Sequence, residues 1–460
     1  MKAHIGFGLL FIILVSEQVL ASKDEIIFAT AIIRHGARTM LNKQYENIVD
    51  DKSFLSNPGR LTNIGKHQLY LLGRQFADKY MNLNVLLNPR YKHRQIVVRT
   101  SGANRTIESV QSFLAGLYEP GLGPSLTFDQ IENASPPIAV ENLDRIRQEL
   151  RSSALPYHAQ RFAIHTSNAE HDYLFSPHSE CEGVAEDEKS FKSEFAKIDK
   201  KYKDFLNKLN QSYQLEVNCA DDAYKLYDNI VCAQRNNINL TKKFSDYELE
   251  MLKNISFECN TKIFPRSDLK VKLLVYVIFA DMIKHFTNAK NNKDGKLKMA
   301  VFQVSDTHIL AINKLMPLNL KESVSFASSL VFELHRRVDD TSSEQFIVEA
   351  YYNGERVNFE EKGLQKYEQF ERLLKDNTYE SEDLFMEACH GNTNGYDRDV
   401  YMALTVVLFI TFIGLWGSNW FILTRKPKDT TTASTLSADG LTINEQRYSA
   451  LVVNETKKEN

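Results

Sequence analysis

Residues 26–38 read IIFATAIIRHGAR, and this stretch decides the fold class. Its first eight residues are apolar or small apart from one threonine, which predicts a buried β-strand. Arg34, His35 and Arg38 follow where that strand ends, and open α/β sheets bind ligands at the carboxyl ends of their strands. The planar donor fork of arginine matches phosphate oxygens, and Gly36 lets the backbone come close. The stretch therefore predicts an α/β fold with an anion site around His35.

Two further segments repeat the order of strand, polar loop and helix. Residues 95–98 form a short apolar run that ends in Arg99 and leads into a helical pattern over 107–117. Residues 299–304 form another apolar run, and Asp306 follows at the start of the next helical pattern. These units predict a mostly parallel sheet core with helices on both faces.

A β-hairpin is predicted after these units. Residues 330–337 and 345–352 are rich in apolar side chains, and the polar turn between them contains Asp339 and Asp340.

Residues 145–265 differ from the rest of the chain in composition. They are rich in lysine, glutamate, asparagine and aspartate, and they hold four of the five cysteines. Apolar residues at helical spacing over 191–209 predict amphipathic helices. We therefore expect an α-helical cap insertion between two core segments, 24–144 and 266–390.

Both ends of the chain carry segments outside this predicted core. Residues 1–21 have the charged start, apolar middle and small-residue end of a secretory signal peptide, with an uncleaved N-terminal anchor as the alternative. Residues 400–424 contain no charge and predict a single C-terminal transmembrane helix, with a buried core helix as the alternative. Basic residues follow that segment, so the positive-inside rule puts residues 22–399 in the lumen or outside the cell. The tail, 425–460, is predicted to be cytoplasmic and disordered.

Composition excludes some classes of function. A formal net charge of −3 over 460 residues gives no support for nucleic-acid binding. The cysteine spacing fits no zinc pattern and arginines can neutralise a phosphate, so we expect no metal and no cofactor. The five cysteines of an exported chain lie in an oxidising compartment, and an odd number leaves at least one unpaired or bonded elsewhere. Asn-X-Ser/Thr sequons within the predicted lumenal or outer part, residues 22–399, predict glycosylation at Asn133, Asn210, Asn239 and Asn254.

The residues at the strand ends together permit phosphoryl transfer. Arg34, Arg38 and Arg99 could neutralise a phosphoryl group, and His35 could attack phosphorus to form a phosphohistidine. The surrounding positive charge should lower the pKa of His35, which keeps the imidazole neutral in an acidic compartment. Asp306 could protonate the leaving alkoxide. Each residue alone has a plainer interpretation, since a strand-end arginine is usually in a surface ion pair and such an aspartate is usually a helix N-cap.

The chain resembles the histidine acid phosphatases, in the branch of the membrane-anchored lysosomal and the prostatic acid phosphatases. The resemblance covers residues 24–390. It rests on five motifs in one order, with a second Arg-Thr pair at 105–106: Arg34–Arg38 (RHGAR), Leu61–Gln68 (LTNIGKHQ), Arg99–Ser101 (RTS), Ser305–Thr307 (SDT) and Phe326–Ser328 (FAS). The resemblance implies a six-stranded α/β core with a helical cap, and hydrolysis of phosphate monoesters at acid pH.

By matched position, the resemblance implies a role for each candidate residue. His35 would be the nucleophile, Asp306 the proton donor, and Arg34, Arg38 and Arg99 the phosphate ligands.

The resemblance also implies a disulfide between Cys181 and Cys389 that ties the cap to the end of the core. The partner of Cys232 in related enzymes falls near Ser329 of this chain, so we expect Cys232 to pair with Cys219 or Cys259 instead.

One departure from the family pattern lies opposite the arginines. The distal motif of the family is His-Asp, and here it is Ser305 followed by Asp306. Losing one preorganised hydrogen-bond donor of this kind typically costs about 10²–10³ in rate. His308 follows in the first helical turn and could replace the lost group, although a surface or helix-packing histidine is the plainer interpretation.

The sequence therefore predicts a single-pass type I membrane protein that hydrolyses small-molecule phosphate monoesters, with activity reduced by Ser305. A catalytically weak membrane-anchored binding protein or receptor for phosphorylated ligands is one alternative, and a phytase-like phosphatase is another. A homodimer is left open. Residues 448–451 (YSAL) resemble endocytic sorting signals, so we expect the lysosomal or endosomal membrane or the cell surface as the location.

Overall fold

The computed structural model describes residues 24–84, 86–167, 172–173, 175–184, 192–263, 267–293, 295–316, 318, 320, 323–337, 345–359, 365–390, 402 and 404–413. The predicted signal peptide, the hairpin turn at Asp339 and Asp340, and the predicted tail from residue 425 lie outside the described residues.

The described strands form one sheet, in the order β3-β2-β4-β1-β5-β6-β7. Their bounds are β1 (Glu25–Arg34), β2 (Ile96–Thr100), β3 (His165–Thr166), β4 (Met299–Val304), β5 (Ser329–Arg336), β6 (Phe346–Tyr352) and β7 (Glu355–Val357). The strands expected near 26–33, 95–98 and 299–304 and the two hairpin strands are all present.

Helices surround this sheet. Their bounds in the described residues are α1 (Lys52–Leu55), α2 (Asn63–Ala77), α3 (Asn104–Leu117), α4 (Phe128–Glu132), α5 (Leu143–Leu150), α6 (Pro177–Glu180), α7 (Lys192–Tyr213), α8 (Ala220–Arg235), α9 (Asp246–Glu258), α10 (Asp268–Lys290), α11 (Asp306–Leu315), α12 (Tyr367–Asp376) and α13 (Glu382–His390). Short 3₁₀ turns occur at Lys43–Ile48 and Pro156–His158, and π-helical turns at Asp78–Leu83 and Cys259–Ile263.

The sheet is mixed, which corrects the expectation of a mostly parallel sheet. The strands β3, β2, β4 and β1 run parallel to their neighbours, with Arg34 opposite Val304 at the end of β1. The pairs β1–β5, β5–β6 and β6–β7 are antiparallel. The hairpins account for β5–β6 and β6–β7, because a short turn can only join strands of opposite direction. Seven strands are described where the family resemblance implies six, and the two edge strands, β3 and β7, are short.

Helices cover both faces of the sheet, as expected. On one face, Ile32 and Phe302 are fully buried against α10 and α11. On the other face, Ile33 and Val301 are fully buried against α2 and α3. Alternate residues of β1 and β4 thus face opposite layers, which explains why both strands are apolar along their whole length.

The helices α7, α8 and α9, called the cap below, pack together around one apolar cluster. Their apolar faces meet at Ile198, Leu226 and Ile255, which are buried. The same cluster contains Ala37 and Phe326, which flank the end of β1. The segment 192–258 therefore lies next to the strand end that carries the RHGAR motif.

A disulfide joins Cys181 to Cys389, which the family resemblance implied. The two cysteines are 208 residues apart in sequence, and both are buried beside Leu273 and Phe385. A crosslink across so long a loop restricts the unfolded chain, and such bonds typically stabilise a fold by about 2–4 kcal/mol.

The chain divides into two compact units, Met1–Gly395 and Tyr396–Asn460. Within the second unit, Met402 and residues 404–413 are helical, and the rest of the predicted segment 400–424 lies outside the described residues. No helix in the described part of the chain has the length and apolar character needed to cross a membrane.

Candidate active site

The backbone after β1 is held in place from several sides. The amide of His35 donates to the carbonyl of Val304 at 3.1 Å, and its own carbonyl accepts from the amide of Ala327 at 3.1 Å. Gly36 lies so close to the start of α2 that a Cβ atom there would come within 2.4 Å of the Gly65 carbonyl oxygen. A side chain at either glycine would therefore push the loop away from α2, which explains the pairing of the RHG and LTxxG motifs.

The imidazole of His35 is buried and held in one tautomer. Its Nδ1 atom lies 2.9 Å from the carbonyl oxygen of Gly36. Because a carbonyl only accepts hydrogen bonds, Nδ1 carries the proton and Nε2 keeps its lone pair. Burial holds the pKa of His35 well below its usual range, and the positive charges of Arg34, Arg105 and Arg38 lower it further against the opposing Gly36 hydrogen bond. The neutral form of the ring is therefore favoured, with the Nε2 lone pair available.

Arg34 and Asp306 lie together beside this ring. Nη2 of Arg34 contacts Oδ2 of Asp306 at 2.9 Å, and Nη1 donates to the carbonyl of Val324. Asp306 is the first residue of α11, and the N-cap position belongs to Ser305. The plainer interpretation of Asp306 as the N-cap is therefore wrong, and its carboxyl group faces the arginine.

Arg38 extends from the same loop towards the cap helix α8. Its Nη2 atom lies 2.9 Å and 3.1 Å from the two carboxylate oxygens of Asp228, and its Nη1 atom contacts the Cys232 sulfur at 3.2 Å. Burial alone would lower the pKa of Arg38, but the Asp228 carboxylate and the other acidic groups nearby, Cys232 and Asp306, together outweigh burial and raise it. Arg38 is therefore a permanent cation with one strong partner.

Arg105 adds a third positive charge beside Arg34 and Arg38, although the sequence motifs assigned it no role. It stands in the first turn of α3, and burial lowers its pKa to about 10, with the positive charges of Arg38 and Arg34 adding to the effect. Its Nε atom is buried without a hydrogen-bond partner. The signal that could have found it is the second Arg-Thr pair at 105–106, which opens a helix as a phosphate-binding residue often does.

The aromatic ring of Phe326 covers the arginines. The guanidinium carbon of Arg34 lies 4.5 Å from the ring centroid and that of Arg38 lies 5.7 Å away. The ring centroids of Phe326 and His35 are 5.7 Å apart. Phe326 keeps water from this side of the cluster, so its cations act through a medium of low polarity.

This arrangement coincides with a family-level match. The family model described as histidine phosphatase superfamily (branch 2) matches residues 25–353. The chain belongs to this superfamily. The resemblance to the histidine acid phosphatases is thereby confirmed, and the chain is an enzyme of the phosphatase class.

Relatives of this histidine phosphatase carry acid phosphatase names. Lysosomal acid phosphatase of Xenopus laevis is 26% identical over 354 residues, which cover 76% of this chain and 74% of that protein. Prostatic acid phosphatase of Bos taurus is 24% identical over 339 residues, which cover 72% of this chain and 78% of that protein. Among solved structures, the apo form of the phytase of Hafnia alvei superposes with a TM-score of 0.56 at 12% identity, covering 81% of this chain and 99% of that chain. At that identity the likeness shows the fold alone.

Arg99 of the histidine phosphatase forms an ion pair with α10. Its Nη1 atom pairs with Oδ2 of Asp281 on α10 at 2.7 Å. Arg99 is in register with Phe302 of β4, and Phe302 faces the α10 layer. Because side chains alternate along a strand, Arg99 points to the α10 face of the sheet. This geometry agrees with the plainer interpretation of Arg99, in which a strand-end arginine is part of an ion pair.

Ser305 and His308 contact each other at the start of α11. The Ser305 hydroxyl lies 2.5 Å from the Thr307 hydroxyl and 3.2 Å from Nδ1 of His308. His308 is 1% exposed, and its ring lies 6.1 Å from that of Phe175. The structure thus places His308 in the interior, in agreement with the packing interpretation.

A pocket of about 440 Å³ lies between the core and the cap helix α8. Arg34 and Asp306 lie on its core side, and Tyr224, Tyr227 and Asp228 of α8 line its cap side. Burial raises the pKa of Tyr224, and the nearby carboxylates of Asp306 and Asp228 raise it further, so its hydroxyl stays protonated. The cap helix therefore supplies polar groups that sequence patterns did not assign to the site.

The cysteines of the cap depart from expectation. Cys219, Cys232 and Cys259 are all free, so the prediction that Cys232 pairs with Cys219 or Cys259 is wrong. The physical reason is that the Cys232 sulfur faces into the site and contacts Arg38.

The predicted glycosylation sites lie in different environments. Asn133, Asn239 and Asn254 are exposed. Asn210 is half-buried, and its side-chain amide exchanges hydrogen bonds with the backbone of Val217 at 2.9 and 3.0 Å. A glycan on Asn210 would disrupt those two bonds.

One group of possible metal ligands occurs among the described residues, on β5 and β6. Ligand atoms of Glu333, His335 and Glu349 lie within 4.8 Å of one another. Lys79 contacts Glu333 at 2.7 Å and Arg356 contacts Glu349 at 2.5 Å. These two cations already neutralise the carboxylates, so we assign no metal to this group.

Proposed function

We propose that this chain hydrolyses phosphate monoesters through a phosphohistidine on His35. The observation that carries the proposal is a buried neutral imidazole with its Nε2 lone pair available and three arginines around it. Arg34, Arg38 and Arg105 would hold the oxygens of the phosphoryl group, since guanidinium donors stabilise the charge that phosphoryl transfer concentrates there.

The first step transfers the phosphoryl group to the enzyme. Nε2 of His35 attacks phosphorus as the bond to the leaving oxygen breaks. The protonated carboxyl of Asp306 gives its proton to that oxygen, because an expelled alkoxide is a poor leaving group. Burial and the arginines lower the pKa of His35, which favours the neutral nucleophile in the acid medium that would supply this proton.

The second step releases phosphate. Water attacks the phosphohistidine, the Asp306 carboxylate takes up the proton of that water, and the bond from Nε2 to phosphorus breaks. The imidazole returns to its starting tautomer, which Gly36 favours throughout through its hydrogen bond to Nδ1. The names of the acid phosphatase relatives support this reaction class.

Ser305 motivates a second candidate, a weakly active protein that binds phosphorylated ligands. Its hydroxyl is engaged by Thr307 and His308. The retained nucleophile and acid favour the enzyme over this alternative.

Turnover of p-nitrophenyl phosphate by the full-length chain separates these candidates. We expect hydrolysis between about pH 4 and 7, and a rise in kcat/KM of about tenfold or more in Ser305→His, because an imidazole restores a hydrogen-bond donor opposite the arginines. Ser56→His, a change at an exposed serine, is the matched control. Turnover in Ser305→His with none in the parent would favour the binding protein, and no turnover in either would remove the phosphatase proposal.

We also propose that residues 400–424 anchor the chain in a lysosomal, endosomal or plasma membrane with residues 22–399 on the lumenal or outer side. The support is the uncharged run and the basic residues after it.

Alkaline extraction of membranes tests this anchoring. The full-length chain is expected to stay in the membrane pellet, whereas a chain ending at residue 399 should be secreted into the medium in soluble form. Release of the full-length chain by alkali would contradict the anchor.

A further inference from the structure

Both arginines of the RHGAR motif are already paired with a carboxylate. Arg34 contacts Asp306, which the proposed reaction uses, and Arg38 contacts Asp228, which the reaction leaves without a role. Asp228 belongs to the cap helix α8 and lines the same pocket as Arg34 and Asp306. Its position therefore calls for an explanation beyond the chemistry of the two steps.

The pair of Arg38 and Asp228 is shielded from water. The two side chains are 6% and 14% exposed, and one guanidinium nitrogen contacts both carboxylate oxygens, at 2.9 and 3.1 Å. In such surroundings charges act on one another strongly because little solvent screens them. A phosphate oxygen that contacts Arg38 would lie within a few ångströms of the Asp228 carboxylate, and these like charges repel.

We propose that Asp228 is a positioning residue that competes with the phosphoryl group for Arg38, so that tight phosphate binding requires its carboxylate to take up a proton. The inference rests on the proposed function, since it assumes that phosphate occupies the space beside His35. The consequence is that the site binds phosphate more weakly in neutral than in acidic medium, and that it releases its product readily at neutral pH.

Several charged or titratable groups face Asp228 and must be considered with it. Arg38 lies at the end of β1 and Arg105 at the start of α3, and Asp306 opens α11. Tyr224 and Cys232 lie on its own helix. Burial raises the pKa of both Tyr224 and Cys232, so neither ionises in the acidic range. Both arginines keep their charge there.

The test measures binding of inorganic phosphate to the full-length chain by calorimetry, and its inhibition of p-nitrophenyl phosphate turnover, from about pH 5 to 7.5. Asp228→Asn keeps the shape and can still accept a hydrogen bond from Arg38, but it removes the charge. We expect it to bind phosphate about 10- to 100-fold more tightly than the parent near pH 7, the effect usual for one adjacent charge. The ratio of the two affinities should approach one as the pH falls, and the titration of phosphate itself cancels from that ratio.

Two further variants serve as controls, and Asp228→Ser provides a second neutral replacement if Asp228→Asn does not fold. Asp228→Glu keeps the charge and should stay close to the parent. Asp221→Asn makes the same chemical change on the same helix at a side chain that is 38% exposed and paired with Lys225, and it should leave phosphate binding unchanged.

The outcomes distinguish this inference from the proposed function. Unchanged or weaker phosphate binding by the neutral variants, in a parent that turns over substrate, would overturn the inference and leave the phosphatase proposal intact. Phosphate binding by Asp228→Asn but not by the parent would support it. Absence of phosphate binding in both, together with absence of turnover in the parent, would overturn both.

Discussion

Replacing His35 by alanine is expected to lower kcat for p-nitrophenyl phosphate by about 10⁴-fold or more, because the group that attacks phosphorus is lost. The arginines remain, so the affinity for inorganic phosphate should change much less than kcat. This combination of lost turnover and retained binding is what removal of a nucleophile predicts. Steady-state kinetics and phosphate calorimetry on the full-length chain measure the two quantities.

A direct assay for the covalent intermediate sharpens this prediction. Brief incubation with a labelled monoester, followed by quenching in alkali, should trap a phosphoenzyme in the parent and none in His35→Ala, since a phosphohistidine survives alkali and is lost in acid. His93→Ala, a change at an exposed loop histidine, serves as the control and should retain both label and turnover. Turnover by His35→Ala at a rate close to the parent's would refute the phosphohistidine mechanism.

Local sequence patterns predicted the elements that carry the site, because each depends on residues close in the chain. The apolar run before Arg34 is β1, and the run 299–304 is β4 with the bounds expected for it. The start of α11 at Asp306 was also expected, and it places the carboxylate beside Arg34. In these cases the strand end and the direction of the next helix fix where the side chain lies.

Contacts between distant segments could not be predicted in this way. Asp228 reaches Arg38 across 190 residues, and Arg34 reaches the carbonyl of Val324 across 290. Their positions depend on how the cap and the late loop pack on the core, and neither packing leaves a periodic signal in the sequence. The predicted hairpin already implied antiparallel strands. The strand–loop–helix units earlier in the chain nevertheless led to the prediction of a mostly parallel sheet.

Arg99 and Arg105 illustrate a different limit, since both lie near the junction of β2 and α3. Ile96 and Val98 are buried against α2 and α3, so Arg99 faces the α10 layer, where Asp281 pairs with it. Arg34 follows Ile32 by two residues and ends its strand on the same side, so the face of a strand does not tell a site arginine from an ion-paired one. Arg105 lies beyond the strand, in the first turn of α3, and its positive charge lowers the pKa of His35.

Exchange of each arginine for alanine should therefore have very different effects. Arg105→Ala is expected to lower kcat/KM for p-nitrophenyl phosphate by about 10²–10³, the usual cost of one preorganised donor to the transition state. Arg99→Ala should change it by no more than about threefold, since it removes a partly exposed ion pair with Asp281. Equal losses in both variants, or a larger loss in Arg99→Ala, would contradict this assignment.

The pH dependence of the two variants gives a second, independent test. The positive charge of Arg105 lowers the pKa of His35, so its removal should raise that pKa. A histidine with a raised pKa is protonated, and loses its nucleophilic lone pair, at a higher pH than in the parent. The acid limb of the kcat/KM profile should therefore move to higher pH in Arg105→Ala, and the loss relative to the parent should be greatest near pH 4. The arginines whose charges lower the pKa of His35 are Arg34, Arg105 and Arg38, so the profile of Arg99→Ala should keep the parent's acid limb even if partial unfolding lowers the whole curve.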